Sequence, residues 1–370
     1  MSETTKSSEV FKLLAELSKS GTAPSDETQC AEPESTLVQR WEPEFQDGYK
    51  FETVSGKYLT KKQIWDAYVS GEQILFVGPS GCGKSTLAFH LLDEANEPIR
   101  ERNRKIYAEN LAIAKGGRKE FKPYADLPYQ LSHYSCHEAT RSEELIGTVR
   151  VKVNADGSRE AITLRGAVTD AWTAGKTLIL EEMDFAPPGV WGETHQFFDM
   201  RTNDTEVFIN GPERIKKNKR FRVMATANTM GQGENQIEFA GTQVLNRAFL
   251  NRFTYVVKIS WLPKESEVKL IFVKTGLRQD IIQKMVDAAT QSRAAYDAQT
   301  SDTTISTREL LAWSRECVRE SARHGADDAK KMVTPVFWKE IVLPSAYPTF
   351  LNRIVDQNTR DMFEKYLSIR

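Results

Sequence analysis

One short run of residues has the composition and spacing of a phosphate-binding loop. The run reads Gly78-Pro79-Ser80-Gly81-Cys82-Gly83-Lys84-Ser85. It directly follows an apolar stretch that ends at Val77 and precedes helix formers that begin at Thr86. Glycines let successive backbone N–H groups point at phosphate oxygens, and the N-terminus of the following helix favours the same negative charge. In such a loop the lysine reaches the β- and γ-phosphates and the serine hydroxyl contacts Mg²⁺, so the spacing predicts a site for ATP with Mg²⁺.

Two adjacent carboxylates end a second apolar run. Glu181 and Glu182 directly follow Leu178-Ile179-Leu180. Ligands of open α/β sheets bind beyond the carboxyl ends of the strands, so we expect these acids in the same crevice as the phosphate loop. We assign Glu181 to Mg²⁺ and Glu182 to the attacking water. The alternative, an ordinary solvated strand end, is disfavoured by the presence of the phosphate loop.

A third apolar run is followed by an asparagine. The run Phe221–Thr226 leads to Asn228. We expect this side chain to hold the nucleophilic water beside the γ-phosphate. Because asparagine commonly ends strands, the assignment depends on the two preceding signals.

The elements that must position these side chains alternate between strands and helices. Five apolar runs predict buried strands, and they cover Gln73–Val77, Tyr129–Tyr134, Thr177–Glu181, Phe221–Thr226 and Thr254–Ile259. A capping box at Thr60 predicts a helix before the first strand, with Gly71 at its end, and a further helix is predicted over Thr86–Asn96. This alternation predicts an α/β fold: a parallel five-stranded sheet with helices on both faces.

Two β-hairpins and a basic segment interrupt the alternation. The hairpins are predicted around turns at 154–158 and 210–212. The basic segment, Arg100–Lys122, is predicted to be an insertion. It contains eight basic and three acidic residues and so has a net charge of +5. We expect this segment and Lys216–Arg220 to be solvated surface, with nucleic-acid contact or an acidic protein partner as the alternatives.

The composition changes along the chain and predicts three regions. Residues 1–45 are rich in Ser, Thr, Glu and Pro and are expected to be largely disordered, around a short amphipathic helix that packs on its own domain or docks on a partner. Residues 46–262 are expected to form the nucleotide-binding core. Residues 263–370 are expected to form a smaller all-helical lid, with helices over Lys264–Lys274, Gln279–Ala298, Thr307–Arg323 and Asn352–Ile369.

Overall composition narrows the class of protein. The chain has 370 residues, 40% of them hydrophobic, and a net charge of −1, which disfavours a strongly basic polyanion binder. No apolar run approaches the length of a membrane-spanning helix, and no secretory signal is visible. The four cysteines form no CxxC pair, so neither a disulfide framework nor a structural zinc site is expected. These features predict a cytoplasmic protein without a membrane partner.

Four motifs, in order along the chain, resemble those of a known family. They read GPSGCGKS, LILEEMDFAPPGVW, VMATANTMGQGE and GTQVLNRAFLNRF. Together they look like an AAA+ ATPase of the MoxR type, in the dynein-related branch, over roughly residues 50–315. Within that branch the chain is similar to the small ATPase subunit of aerobic cobaltochelatase and to the CbbQ/NirQ and GvpN ATPases.

The resemblance implies roles for individual residues. The run from Gly78 to Ser85 would be Walker A, with Thr86 added to the nucleotide contacts. Glu181 and Glu182 would be Walker B, although the first position is usually Asp in the family. Asn228 would be sensor 1, and Arg308 would be sensor 2 on the lid. Arg252 falls where the family carries its arginine finger, and Arg247 is the second candidate.

The resemblance also implies a function. It implies a homo-oligomeric ring, of six subunits as in relatives, that hydrolyses ATP with Mg²⁺ and remodels a protein partner. A metal-chelatase motor is one version, with a von Willebrand A domain on a separate chain as the partner. The hairpins would line the pore or face the partner. Two alternatives stay open: a nucleic-acid-processing ATPase, such as a restriction or replication factor, and a scaffold that binds ATP but barely hydrolyses it because of Glu181.

Overall fold

A computed structural model describes most of the predicted core and the C-terminal region. The described residues are 51–53, 55–115, 121–199, 206–209, 213–229, 243, 245–301, 303–325 and 333–368. Residues 89–131 form one compact unit, and the rest of the described chain forms another. The N-terminal region with its predicted amphipathic helix lies outside the described residues, as does the turn at 210–212.

A single sheet carries all five predicted strands. In chain order the strands are β1 (Phe51–Glu52), β2 (Tyr58–Leu59), β3 (Ile74–Val77), β4 (Leu131–Ser135), β5 (Gly147–Val153), β6 (Arg159–Arg165), β7 (Thr177–Glu181), β8 (Glu206–Phe208), β9 (Arg214–Lys216), β10 (Arg222–Ala227) and β11 (Tyr255–Ile259). The sheet has the order β2-β1-β11-β3-β10-β7-β4. Strand β10 runs parallel to β3 and β7, and β11 runs parallel to β3.

Among the described residues the sheet has seven strands, two more than the five predicted. Strands β1 and β2 form an antiparallel edge beyond β11. Each of them is two residues long, which is too short to give an alternating pattern in the sequence. The parallel centre is unaffected: the carboxyl ends of β3, β10 and β7 are neighbours at one edge of the sheet, which is where the predicted site residues follow.

Helices connect the strands and make up most of the chain after β11. They are α1 (Lys61–Ser70), α2 (Lys84–Lys115), α3 (Ser142–Ile146), α4 (Ala167–Ala174), α5 (Pro188–Thr194), α6 (Arg247–Leu250), α7 (Lys264–Thr275), α8 (Gln279–Asp297), α9 (Thr307–Arg323), α10 (Thr334–Phe337), α11 (Leu343–Thr349) and α12 (Gln357–Leu367). The capping box at Thr60 and the left-handed Gly71 at the end of α1 are confirmed. Among the described residues, no helix combines the length and the apolar composition that crossing a bilayer requires.

Helix α2 is much longer than predicted. The expected helix ended at Asn96, whereas α2 continues to Lys115 and includes Pro98. The segment Arg100–Lys122 is therefore largely helical rather than a loop-like insertion. Several of its cations pair with acids: Arg100 with Asp93, Arg104 with Glu97, Lys105 with Glu101, and Lys122 with Glu109.

Three buried asparagines on α2 hold an extended segment, and we call them the asparagine clamp. They are Asn96, Asn103 and Asn110, seven residues apart. Each side-chain amide donates to the carbonyl and accepts from the N–H of one residue, at 2.7–3.1 Å, and the residues held are Tyr129, Ala125 and Lys122 respectively. Seven helical residues rise about 10 Å, close to the length of three to four extended residues, so the two backbones stay in register.

Both predicted hairpins are confirmed. Strands β5 and β6 pair antiparallel along their whole length, and β8 pairs with β9 in the same way. Val151 and Val153 on β5 are 64% and 63% exposed, so this hairpin presents apolar side chains to its surroundings.

The C-terminal region is helical as predicted, with one helical run that the sequence did not predict. Helices α7, α8 and α9 match their predictions closely, and α12 starts five residues later than the predicted Asn352. The unpredicted run joins α10 and α11 through a π-helical turn over Trp338–Val342. The sequence does not predict this run because it contains prolines at 335, 344 and 348, and proline usually interrupts a helix.

Candidate functional site

The phosphate loop connects β3 to α2 in a conformation that needs glycine. Gly81 and Gly83 have φ angles of +76° and +103°, which favour a residue without Cβ. A Cβ on Gly78 would lie 2.2 Å from the carbonyl oxygen of Ile259 on β11. The loop is therefore seated directly against the sheet, and α2 begins at Lys84 with its N-terminus beside it.

Lys84 ties this loop to the neighbouring strand. Its Nζ donates to the carbonyl oxygens of Gly78 at 2.7 Å and Pro79 at 2.8 Å, and to Oδ1 of Asn228 at 2.8 Å. Asn228 follows β10 directly, so two motifs from distant parts of the sequence meet here. The side chain of Lys84 is buried, and burial lowers the pKa of its ammonium group, while the carboxylates of Asp184 and Glu182 act in the opposite direction.

The two predicted acids lie at the end of β7 and point to different surroundings. Glu181 is partly buried and one of its carboxylate oxygens is hydrogen-bonded to His133 Nε2 on β4. Glu182 is exposed, and its backbone adopts a left-handed conformation with φ of 54°. That conformation is unfavourable for a residue with a Cβ, and it is fixed here by the Glu182 N–H, which donates to Thr226 Oγ1 at 3.0 Å.

Asp184 belongs to the site and sequence reasoning missed it. Its side chain is fully buried, and Oδ2 accepts from the backbone N–H of Asn228 at 2.8 Å and of Thr229 at 2.9 Å. Burial raises the pKa of this carboxyl, while the bonds from Thr229 and Asn228 lower it. Its Oδ1 is buried with no hydrogen-bond partner among the described residues. The only signal in the sequence is an acid two positions after Glu182.

The oxygen donors at these strand ends suit a magnesium ion. Ser85 at the start of α2 and Glu181 at the end of β7 are the residues predicted to hold it, and the orphaned Oδ1 of Asp184 lies in the same network. Mg²⁺ is usually held by one or two protein oxygens together with substrate phosphates, not by a cage of side chains. No group of three or more His, Cys, Asp or Glu residues that could hold a metal occurs in the described part of the chain.

The start of α9 reaches the phosphate loop. Ser306 caps α9, and a Cβ on Gly81 would lie 2.8 Å from the Cβ of Ser306. Arg308, two residues further on, is exposed, yet its charge contributes to lowering the pKa of Lys84. The predicted sensor 2 arginine is therefore close to the predicted phosphate-binding lysine.

A buried ion pair fixes this end of α9. Arg293 on α8 donates to both carboxylate oxygens of Glu267 on α7, each at 2.9 Å. The same carboxylate accepts from Thr307 Oγ1 at 2.6 Å, and Arg293 Nε donates to the carbonyl of Ile305. Because every one of these groups is paired, the position of Arg308 relative to α7 and α8 is well defined.

The two arginine-finger candidates lie around α6. Arg252 is paired with Asp199 at 2.9 Å, and its Nε is buried without a hydrogen-bond partner among the described residues. Arg247 is exposed at the start of α6. Arg252 also lines a cavity of about 270 Å³, whose other lining residues are Trp191, Gly192, His195, Asn246, Ala248 and Phe249. The structure does not group either arginine with Lys84.

The side chain of Cys82, another residue of the predicted phosphate loop, packs against the sheet. Its side chain is buried within the loop, with Sγ 3.9 Å from the carbonyl oxygen of Ile259. Burial raises the pKa of the thiol, which disfavours the reactive thiolate. Cys82 therefore acts as a packing residue between the loop and the sheet.

Comparison with protein families gives two matches. The AAA domain of the dynein-related subfamily matches residues 125–253, and the CbbQ/NirQ/NorQ C-terminal region matches residues 267–323. The first match covers Glu181, Glu182, Asn228 and both finger candidates, and the second covers Arg308. The phosphate loop lies before both matches.

Comparison with individual proteins gives distant relatives. The chain is 27% identical to the aerobic cobaltochelatase subunit CobS of Sinorhizobium sp over 176 residues, which are 46% of this chain and 52% of that protein. The match thus spans about half of the cobaltochelatase subunit. An uncharacterized protein of Staphylococcus saprophyticus is 24% identical over 242 residues, 65% of this chain and 76% of that protein.

Comparison with solved structures gives matches that share less sequence identity with this chain than the relatives above. The RuvB Holliday junction branch migration motor of Thermotoga maritima has a TM-score of 0.43 at 11% identity, over 80% of this chain and 70% of that chain. NtrX from Brucella abortus, in complex with ADP, has a TM-score of 0.43 at 15% identity, over 83% of this chain and 65% of that chain.

Proposed function

Because the chain belongs to the MoxR-type, dynein-related AAA+ ATPases, we propose that it binds ATP with Mg²⁺ beyond the ends of β3, β10 and β7 and hydrolyses it there. The observation that carries the proposal is the bond between Lys84 Nζ and Asn228 Oδ1 at 2.8 Å. It joins the phosphate loop to the residue that the sequence analysis assigned to the attacking water. Glu182 influences the pKa of the same lysine, so the predicted Walker B acid lies within electrostatic reach.

In this proposal Lys84 and Ser85 bind the nucleotide. Lys84 exchanges two of its present acceptors, the carbonyl oxygens of Gly78 and Pro79, for phosphate oxygens and keeps Asn228 Oδ1. A buried ammonium binds an anion more strongly than an exposed one, because the attraction is less screened by water. Ser85 and Glu181 hold the Mg²⁺, which supplies Lewis-acid stabilisation of charge on the phosphates.

The remaining residues act on the water that attacks. Glu182 lies on the left-handed turn after β7, with its carboxylate exposed, and would orient the water and accept its proton. Asn228 presents its amide to Lys84 through Oδ1, which leaves the NH₂ group as the donor for water. Asp184 holds the backbone of Asn228 and Thr229 and so positions sensor 1.

Phosphate release by the purified chain tests this function. We expect release of inorganic phosphate from ATP that requires Mg²⁺ and stops when the metal is chelated. Binding of ATP without any phosphate release would overturn hydrolysis and favour the nucleotide-gated scaffold. Absence of both binding and release would overturn the nucleotide site itself.

We further propose that the chain works as a head-to-tail homo-oligomeric ring, of six subunits as the family resemblance implies, with Arg252 as a finger in trans. The ion pair with Asp199 would hold the guanidinium in position. A finger stabilises charge that develops on the γ-phosphoryl group and is worth on the order of 10³-fold in rate.

Subunit mixing separates this role from a structural one. Arg252→Ala and Glu182→Gln subunits should each be inactive alone, because each lacks one side of a shared site. Mixed rings should recover part of the turnover, because some interfaces combine an intact Glu182 with an intact Arg252. No recovery at any mixing ratio, in rings verified by light scattering, would contradict Arg252 and favour Arg247.

We propose a protein as the partner that this ATPase remodels, in the manner of a chelatase motor, with a von Willebrand A domain as the candidate partner. The apolar face of the β5–β6 hairpin supports a protein contact, since exposed valines gain by burial. The ion pairs along α2 weigh against the nucleic-acid alternative, because three of its cations, Arg100, Arg104 and Lys105, already have acidic partners. Stimulation of phosphate release by DNA or RNA would reverse this choice.

A further inference from the structure

The acid assigned to magnesium has a neighbour that the proposed mechanism does not use. His133 lies in β4, which is next to β7 at the edge of the sheet. The backbone N–H of Cys136 donates to the carbonyl of Glu181 at 2.9 Å, which fixes the end of β4 against the end of β7. In this register His133 Nε2 is hydrogen-bonded to Oε2 of Glu181.

The contact explains how a glutamate can serve where the family usually has an aspartate. Glutamate has one more rotatable bond than aspartate, so its carboxylate loses more conformational freedom when it is held in one place. The bond from His133 occupies Oε2 and removes that freedom, while Oε1 remains as an oxygen ligand. Residues that hold a metal ligand in this way typically change metal affinity by about 10–100-fold when they are removed.

We propose that His133 is a positioning residue that orients the Glu181 carboxylate towards the divalent cation bound with ATP. The proposal rests on the proposed nucleotide site. It adds that the affinity of this site for the cation depends on His133 in β4. A surface ion pair without such a role is the competing explanation, because the His133 side chain is 38% exposed.

The Mg²⁺ dependence of nucleotide binding tests the role without relying on turnover. A ribose-labelled fluorescent ATP is bound to the full chain carrying Glu182→Gln, and Mg²⁺ is titrated. With His133→Ala the Mg²⁺ concentration at half-maximal binding should rise about tenfold. With His133→Gln, which keeps a donor near the place of Nε2, it should stay within about threefold of the parent.

Two further variants serve as controls. His137→Ala removes an exposed histidine just beyond β4 and should leave the half-maximal concentration unchanged. In the Glu181→Asp background the shorter carboxylate is out of reach of His133, so adding His133→Ala should change the value less than about twofold. His133→Asn, whose amide is shorter than that of glutamine, replaces the alanine variant if alanine prevents folding.

Three results would overturn the proposal. The first is an unchanged Mg²⁺ requirement in His133→Ala, and the second is an equal increase in the Glu181 and Glu181→Asp backgrounds. The third is a His133→Gln variant as defective as the alanine variant. Failure of the nucleotide site itself looks different, because the labelled ATP would then not bind to the parent chain at any Mg²⁺ concentration.

Discussion

The strand-end crevice and the asparagine clamp are both buried polar networks, but they are completed differently. In the clamp, each of three side-chain amides pairs with both backbone groups of one residue. In the crevice, Lys84 is desolvated so that its pKa falls, Glu182 takes a left-handed backbone, and Asp184 Oδ1 has no partner among the described residues.

The difference shows which network is built for stability and which for a ligand. A fully paired buried amide adds to stability, whereas an unpaired buried oxygen lowers it by about 1–3 kcal/mol. Unfavourable groups of this kind gather at functional sites, where a ligand completes them. Substitutions in the crevice should therefore weaken ATP binding and change the free energy of unfolding little. Substitutions in the clamp should lower stability and leave ATP binding unchanged.

Replacing Lys84 should have the largest effect on the crevice. Lys84→Ala removes an ammonium group, with its single charge and three N–H donors, from the phosphate loop. We expect it to weaken ATP binding by about 100-fold or more. The free energy of unfolding without nucleotide should change by less than about 1 kcal/mol, because the desolvation of the ammonium group is lost together with its bonds. Titration calorimetry and urea unfolding measure the two quantities, with Lys62→Ala on the exposed face of α1 as the control. Wild-type ATP affinity in Lys84→Ala would contradict the assignment.

The matching change in the clamp is Asn103→Ala. It leaves the N–H and carbonyl of Ala125 without their partner, so the segment 121–130 should open more easily by about 2–3 kcal/mol. Amide hydrogen exchange at Ala125 measures this local opening, and ATP affinity should be unchanged. Arg102→Ala, on the exposed side of the same helix, is the control. Weaker ATP binding in Asn103→Ala, with little change in exchange, would remove the distinction between the two networks.

The smallest effect is expected at Asp184 and depends on pH. Its pKa is raised in the folded chain, so the native state holds the proton more tightly than the unfolded state does. The carboxyl therefore lowers stability as pH rises from its unfolded pKa, about 3.9, to the raised folded value. Asp184→Asn removes this titration, so the unfolding free energy of the variant should rise relative to that of the wild type across that range. A difference that stays constant with pH would show that burial of the charge is not important.

Local sequence signals predicted much of this arrangement because each depends on only a few adjacent residues. The phosphate loop, the five predicted strands, both hairpins and the Thr60 cap all follow from spacing and turn chemistry. The meeting of Lys84 and Asn228 follows from the general rule that ligands bind at strand ends, although the order of the strands was not predicted.

The features that escaped prediction depend on contacts between distant residues. In the sequence nothing distinguishes Asp184 from other acids that follow a strand. Its burial and the bonds that it accepts from Asn228 and Thr229 become visible only in the structure. The clamp forms only because the extended segment returns along α2. The seven-residue spacing of the asparagines does not by itself predict this packing. Nothing in the spacing around His133 indicates its partner, and only the structure pairs it with Glu181.

The most direct test of the account is single-turnover phosphate release by Glu182→Gln measured beside its ATP affinity. The amide has the shape of the carboxylate but cannot accept the proton of water, so hydrolysis should fall by at least about 100-fold while ATP affinity stays at the wild-type value. Glu181→Gln, measured in parallel, should instead raise the Mg²⁺ requirement. Normal hydrolysis by Glu182→Gln, with loss of hydrolysis in Glu181→Gln at saturating Mg²⁺, would contradict the assignment of the two acids at the end of β7.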